Sequence, residues 1–185
     1  MAVRDGCVAA VLNRPGSLGP ALGKRSRGDL PLIALEATSA AGAARRTAGL
    51  DAGQWRSFNL VLADRGSAWF LRGTGAGRPE AVPLTPGVIH MVTAHEPDDE
   101  GSPRVARHLP RFRAAAVPEP PDWRAWTALL ADRAGPPGAA INVPPMAGFG
   151  TVCASLLGIP ADGPPTWLFA AGSPDRAAFE TVALW

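Results

Sequence analysis

Short apolar runs separated by glycine- and proline-rich turns make up most of the chain. The run over residues 7–12 ends at Asn13-Arg14-Pro15-Gly16 and predicts a strand buried on both faces. Two further runs, 58–63 and 67–71, flank a short loop that contains glycine, which predicts a β-hairpin. Additional strands are predicted over residues 80–84, 88–93, 139–143, 151–157 and 166–171.

Helical periodicity is found in four other segments. They cover residues 28–38, 39–48, 103–112 and 123–132. Ser102 is expected to cap the third of these, with Pro103 at its first helical position. Because strands are grouped with strands and helices with helices, the pattern predicts the α+β class.

Composition narrows the class of protein further. With 185 residues, of which 46% are hydrophobic and 18% charged, the chain suits one domain with a true core. No apolar run approaches the length of a membrane span, and the first residues lack a secretory pattern, so a cytoplasmic location is expected. The net charge of +2 gives no indication of a nucleic-acid partner.

Few residues suggest chemistry by spacing alone. The two cysteines, Cys7 and Cys153, are too few for a disulfide scaffold or a zinc site and are interpreted as buried apolar residues. The three histidines show no metal-ligand spacing, so no metal site is predicted. Lys24, Arg25 and Arg27 form a basic cluster in a loop before the helix predicted from Gly28, where phosphate binding is possible but not favoured, because no phosphate-loop motif accompanies the cluster.

Several short strings, taken in order, resemble one family. They are residues 8–14 (VAAVLNR), 16–19 (GSLG), 24–28 (KRSRG), 58–64 (FNLVLAD), Pro86-Gly87 before His90, 102–104 (SPR) and 149–151 (FGT). Together they resemble the NRDE family, the Transport and Golgi organisation 2-like proteins. The resemblance implies a fold like that of the N-terminal-nucleophile (Ntn) hydrolases, an αββα sandwich of mainly antiparallel sheets.

The family's chemical signature is not found in this sequence. In such proteins a cysteine directly after the initiator methionine is the nucleophile, and an Asn-Arg-Asp-Glu stretch follows. Here Ala2 follows Met1, and the stretch does not occur. The resemblance therefore implies a single NRDE-like domain over residues 1–185 that is incomplete at its N-terminus and has no catalytic residue of its own.

Three residues are carried over as candidates. Asn13 resembles the asparagine that related hydrolases place at an oxyanion hole, although an asparagine before Pro-Gly also suits a turn. Arg14 lies beside it, and His90 is a candidate ligand-binding residue. Ala94 and Val152 stand where many relatives carry Asn and Arg, which argues against hydrolysis.

Three functions follow as hypotheses. The first is a non-catalytic member of the family that handles a small hydrophobic ligand such as haem or a lipid metabolite, with no required cofactor. The second is a cysteine-dependent amide hydrolase of the Ntn type, if the true start of the chain lies upstream of Met1. The third is a truncated product that self-associates through exposed sheet edges.

Overall fold

The computed structural model describes residues 1–136, 138–146 and 148–184. They form two units, one of residues 1–97 and one that begins at Asp98. The described residues contain two antiparallel sheets, of five and three strands, and four helices. This arrangement confirms the predicted α+β class.

Five strands build the sheet of the first unit. They are β1 (Ala2–Arg4), β2 (Cys7–Asn13), β3 (Phe58–Ala63), β4 (Ala68–Gly73) and β5 (Glu80–Pro83). Each pairs antiparallel with the next in chain order. Asp5 and Gly6 both have positive φ, 49° and 74°, as the tight turn between β1 and β2 requires. The predicted hairpin and the strands predicted at 7–12 and 80–84 are confirmed.

Helices cover one face of this sheet. The helices α1 (Asp29–Ala34) and α2 (Ala40–Ala48) pack on β2, β3 and β4. Alternate strand residues, such as Leu60 and Leu62, are fully buried against them. In β2 only Cys7 and Ala9 are buried, so the prediction of a strand buried on both faces is wrong.

The predicted strand over residues 88–93 does not form, and the segment is irregular. At the end of this segment a side chain binds the backbone. The amide nitrogen of Asn59 donates to the carbonyls of Thr93 (2.9 Å) and His95 (2.7 Å). These carbonyls are thus satisfied without a ladder of backbone hydrogen bonds.

The second unit contains two helices and the smaller sheet. The helices are α3 (Pro103–Ala114) and α4 (Arg124–Leu130), and the strands are β6 (Ala154–Gly158), β7 (Thr166–Ala170) and β8 (Glu180–Val182). The predicted strand over 139–143 is wrong. Its backbone groups have non-ladder partners instead, since the Asn142 N–H donates to the Asp132 carbonyl, Arg104 donates to the Ala140 carbonyl and the Thr151 hydroxyl accepts from the Val143 N–H. Within the described ranges, no helix is long and apolar enough to cross a membrane.

The second unit contains a buried histidine. His108, on α3, is fully buried. Its Nε2 donates to the carbonyl of Ala139 (2.9 Å), and its Nδ1 accepts from Arg111 (3.3 Å). Burial lowers the pKa of His108, the charges of Arg111 and Arg107 lower it further, and the Ala139 carbonyl and Asp132 oppose them.

This lowered pKa predicts a pH-dependent stability. Between pH 7 and pH 5 the unfolded chain takes up a proton at the histidine, with a pKa of about 6.5, while the folded chain resists it. Stability is therefore expected to fall as the pH drops through this window. Urea denaturation of His108→Gln should show a flatter dependence than the unmodified chain. His90→Gln, as the control, should keep the dependence, and an unchanged slope in His108→Gln would show that another group causes it.

Candidate functional site

A groove of about 450 Å³ lies beside the end of β2 in the first unit. The polar side chains on its walls are mostly basic, and the apolar ones are small. The lining includes Val11, Asn13, Pro20, Ala21, Lys24, Arg25, Arg27 and Arg56. The structure thus brings the predicted residue Asn13 together with the basic cluster that the sequence placed in a solvated loop.

Two arginines fix the loop that forms one wall of the groove. Arg56 donates to the carbonyls of Gly16 (2.7 Å) and Leu18 (2.6 Å). Arg27 donates through one nitrogen to the carbonyl of Ser17 (2.6 Å), to the hydroxyl of the same residue (2.9 Å) and to the carbonyl of Ser57 (3.1 Å). The loop therefore owes its shape to guanidinium groups bound to backbone carbonyls.

A buried tryptophan supports the same loop from below. Trp55 is fully buried, and its indole N–H donates to the carbonyl of Ser26 (3.1 Å). The guanidinium of Arg25 lies over the Trp55 ring, 4.9 Å from its centre. Arg25 also pairs with Asp29 at 3.2 Å. The position of the basic residues is thus linked to the hydrophobic core.

Positive charge in the groove exceeds negative charge. Asp29 compensates Arg25, but within the described part of the chain no carboxylate lies at ion-pair distance from Lys24, Arg27 or Arg56. Burial lowers the pKa of Arg27, and the neighbouring charge of Arg56 lowers it further. An anion held between these two side chains would offset their mutual repulsion.

Asn13 and Arg14 point in different directions. Asn13 lines the groove, whereas Arg14 reaches the other face of the sheet, as expected for consecutive residues at the end of a strand. There Arg14 donates to the side-chain oxygen of Asn59 (2.6 Å) and pairs with Glu96 (2.8 Å). Arg72 pairs with the same Glu96 at 3.2 Å. Arg14 is therefore a member of a polar network, separate from the groove.

Asn59 is the centre of that network. It is fully buried, yet each of its side-chain polar atoms has a partner in the first unit. Its oxygen accepts from Arg14, and its nitrogen holds the irregular segment at Thr93 and His95. Buried amides that are satisfied in this way commonly fix one backbone arrangement.

His90 lies in a different groove from Asn13. That second groove, of about 440 Å³, is lined by residues that include Trp69, Pro83 and Val88. The Nε2 of His90 donates to the carbonyl of Thr85 (3.1 Å), so this nitrogen carries a proton and does not suit a metal ligand in this arrangement. The structure does not bring His90 together with Asn13 and Arg14.

The side chains around the groove beside Asn13 do not suit the binding of a metal ion or of haem iron. No group of three or more metal-binding side chains occurs among the residues that the structure describes. The groove beside Asn13 has no histidine, methionine or cysteine in its lining to serve as an axial ligand to haem iron. Cys7 is buried, and burial together with the charge of Asp64 raises the pKa of its thiol, so it suits neither ligation nor nucleophilic attack.

The sequence did not indicate that Arg56 and Asn59 belong to a functional site or a buried network. Arg56 lies 29 residues after Arg27, outside the basic cluster, and only the fold brings them together. Asn59 belonged to a string that resembled the NRDE family, but nothing in its spacing indicated a buried network. An isolated asparagine within an apolar strand is the one available cue, since a buried amide needs partners.

No protein-family model matches the chain, and a search of curated proteins finds no match. The resemblance to the NRDE family stays a prediction.

Proposed function

We propose that the chain binds a small ligand through a carboxylate or phosphate group held by Arg27 and Arg56, beside Asn13. The observation that carries this proposal is the pair of guanidinium groups in one groove with no carboxylate partner in the described residues. A guanidinium binds carboxylate and phosphate oxygens through strong, directional hydrogen bonds. Lys24 adds a third positive charge to the same groove.

The size and the apolar lining suit an amphipathic molecule. A volume of about 450 Å³ falls within the usual range for small-molecule sites. Val11, Pro20 and Ala21 offer contacts for a nonpolar body next to the charged group. A lipid metabolite with an anionic head fits this description. The carboxylates of haem fit it too, but the groove supplies no axial ligand to iron.

An Ntn-type amide hydrolase is the second proposal. One observation favours it, because Asn13 lies at an accessible groove, where an amide donor would reach a reacting carbonyl oxygen. Cys7 does not suit the role of nucleophile, so the reaction requires a cysteine from a longer chain. Such a chain should hydrolyse amides and lose activity when that cysteine is replaced, and inactivity over a panel of amides would refute the proposal.

The proposed site predicts how the loss of one positive charge changes the dissociation constant of an anion. Inorganic phosphate and acetate, each titrated at low ionic strength, should cause saturable amide shifts in residues 24–28. Arg56→Gln should raise the dissociation constant about tenfold, as expected for one lost charge-assisted hydrogen bond. The matched control is Arg45→Gln, which removes an exposed arginine of α2 outside the groove and should leave the constant unchanged.

Equal effects of the two substitutions would contradict the proposal, because nonspecific attraction depends on net charge alone. Absence of any saturable shift in the unmodified chain would also contradict it. Circular dichroism of both variants checks that the fold is retained, since Arg56 also binds loop carbonyls.

A further inference from the structure

Two side chains on one face of α3 hold the irregular segment of residues 138–143. Arg104 donates to the carbonyl of Ala140 (2.8 Å). His108, one turn further along the helix, donates through Nε2 to the carbonyl of Ala139 (2.9 Å). Ala139, Ala140 and His108 are all buried. The position of the segment therefore depends on donors that α3 supplies.

His108 makes its contacts in one protonation state only. Its Nδ1 accepts from the guanidinium of Arg111 (3.3 Å), while its Nε2 donates to Ala139. A protonated imidazole carries a hydrogen on both ring nitrogens. The hydrogen on Nδ1 would then face an N–H of Arg111, and two positive charges would lie side by side. A protonated ring cannot keep this place, and a ring that leaves removes the donor from the Ala139 carbonyl.

The charged groups around His108 do not compensate an imidazolium. Burial is the main cause that lowers the pKa of His108, and Arg111 and Arg107 on α3 lower it further. Asp132, which follows α4, acts in the opposite direction, but its carboxylate is already paired with Arg111. Residues 138–143 contain no titratable side chain. The surroundings thus favour the neutral ring in the folded chain.

Two carboxylates near the segment stay ionised between pH 7 and pH 5. The N–H of Ala134 and the side chain of Arg111 lower the pKa of Asp132. Hydrogen bonding from Ser173 is the first cause that lowers the pKa of Asp175 to about 2. Since both carboxylates keep their charge over this range, the group of this cluster that responds to pH is the imidazole.

The segment also carries a buried asparagine that holds the loop after β7. Asn142 is fully buried. Its side-chain nitrogen donates to the carboxylate of Asp175 (2.8 Å), and its side-chain oxygen accepts from the hydroxyl of Ser173 (2.8 Å). Its backbone N–H donates to the carbonyl of Asp132 (3.2 Å). Movement of the segment would therefore remove partners from the loop at Ser173 and Asp175.

We propose that His108 is an acid-sensitive switch, which releases residues 138–143 from α3 at mildly acidic pH. In the open state water reaches the imidazole, which takes up a proton, whereas the closed state excludes that proton. Because Asn142 moves with the segment, the loop at Ser173 and Asp175 opens in the same step. The switch belongs to the second unit and does not depend on the proposed anion site.

Amide hydrogen exchange of the whole chain at pH 7, 6 and 5, corrected for the intrinsic exchange rates, tests the switch. The opening constant of residues 138–143 should rise close to tenfold between pH 6 and pH 5, because opening takes up one proton at a group with a pKa of about 6.5. Residues 173–176 should show the same constant. At each pH this constant should be at least about tenfold larger than that of the β7 amides, as expected for a local opening. Equal constants for the segment and for β7 would mean global unfolding and would overturn the proposal.

A substitution and a spectroscopic signature complete the test. His108→Gln cannot take up the proton, so the opening constant should no longer depend on pH between 7 and 5, whereas the control His90→Gln should keep the dependence. Nitrogen spectra of the His108 ring in the unmodified chain at pH 7 should show a hydrogen on Nε2 and none on Nδ1, a result that does not require the variant to fold. A hydrogen on Nδ1, or an unchanged pH dependence in His108→Gln, would show that His108 is not the switch.

Discussion

Replacing Asn59 with alanine is expected to lower the free energy of unfolding of the first unit by about 3–5 kcal/mol, because a buried amide loses three hydrogen bonds at once, one of them from a charged guanidinium. The substitution removes three hydrogen bonds from a fully buried position. The carbonyls of Thr93 and His95 and one nitrogen of Arg14 would be left without it. A hydrogen bond between neutral groups contributes about 0.5–1.5 kcal/mol to stability, and one to a charged group about 1.5–3 kcal/mol.

Native-state hydrogen exchange of the β3 and β4 amides measures this change within the first unit alone. Asn13→Ala is the matched control, since this asparagine is exposed and makes no side-chain hydrogen bond in the described residues. Its effect should stay within about 0.5 kcal/mol, as for ordinary surface substitutions. If Asn59→Ala lowers the free energy of unfolding by less than about 1 kcal/mol, the loss is smaller than the contribution of one buried hydrogen bond. That result would show that water replaces the amide.

Replacing Trp55 with alanine is the second large effect, with an expected loss of about 3–5 kcal/mol. The side chain is fully buried in the cluster between the sheet and its helices. Its removal leaves a cavity and frees the carbonyl of Ser26. Because Arg25 also lies over the ring, the wall of the groove should loosen together with the core.

Trp55→Phe separates the two contributions. Phenylalanine keeps an aromatic surface beneath Arg25 but cannot donate to Ser26, so the loss should be smaller than that of Trp55→Ala. Hydrogen exchange should also show faster exchange in residues 24–28 for both variants. If stability falls but exchange in this loop is unchanged, Trp55 supports the core without supporting the groove.

Local patterns predict much of the first unit. The apolar runs over residues 58–63 and 67–71 and the turn at Gly66 predict the β3–β4 hairpin, because two apolar segments joined by a short loop with glycine favour antiparallel pairing. The same reasoning fails at residues 88–93, a segment that is irregular and whose last carbonyl, that of Thr93, accepts from the side chain of Asn59. A strand and an irregular segment fixed by a buried amide look alike in an apolar sequence.

The candidate site depends on contacts that the sequence does not encode locally. Asn13 and Lys24 lie close in sequence, but Arg56 joins them only because the chain returns through Trp55 to the start of β3. Asn13 and Arg14 are adjacent in sequence, yet a strand directs them to opposite faces. The alternation of side chains along a strand therefore places Asn13 in the groove and Arg14 in the polar network, although the two are adjacent candidates in the sequence.

Arg27 and Arg56 are proposed to hold an anion together. The Nε–Hε resonances of the arginine side chains, recorded by NMR while inorganic phosphate is added at constant ionic strength, report on this contact. The resonances of Arg27 and Arg56 should shift saturably with one shared dissociation constant, while those of Arg45 and Arg124 should stay unchanged. Equal small shifts at all four arginines, or no shift at Arg27 and Arg56, would contradict the proposal.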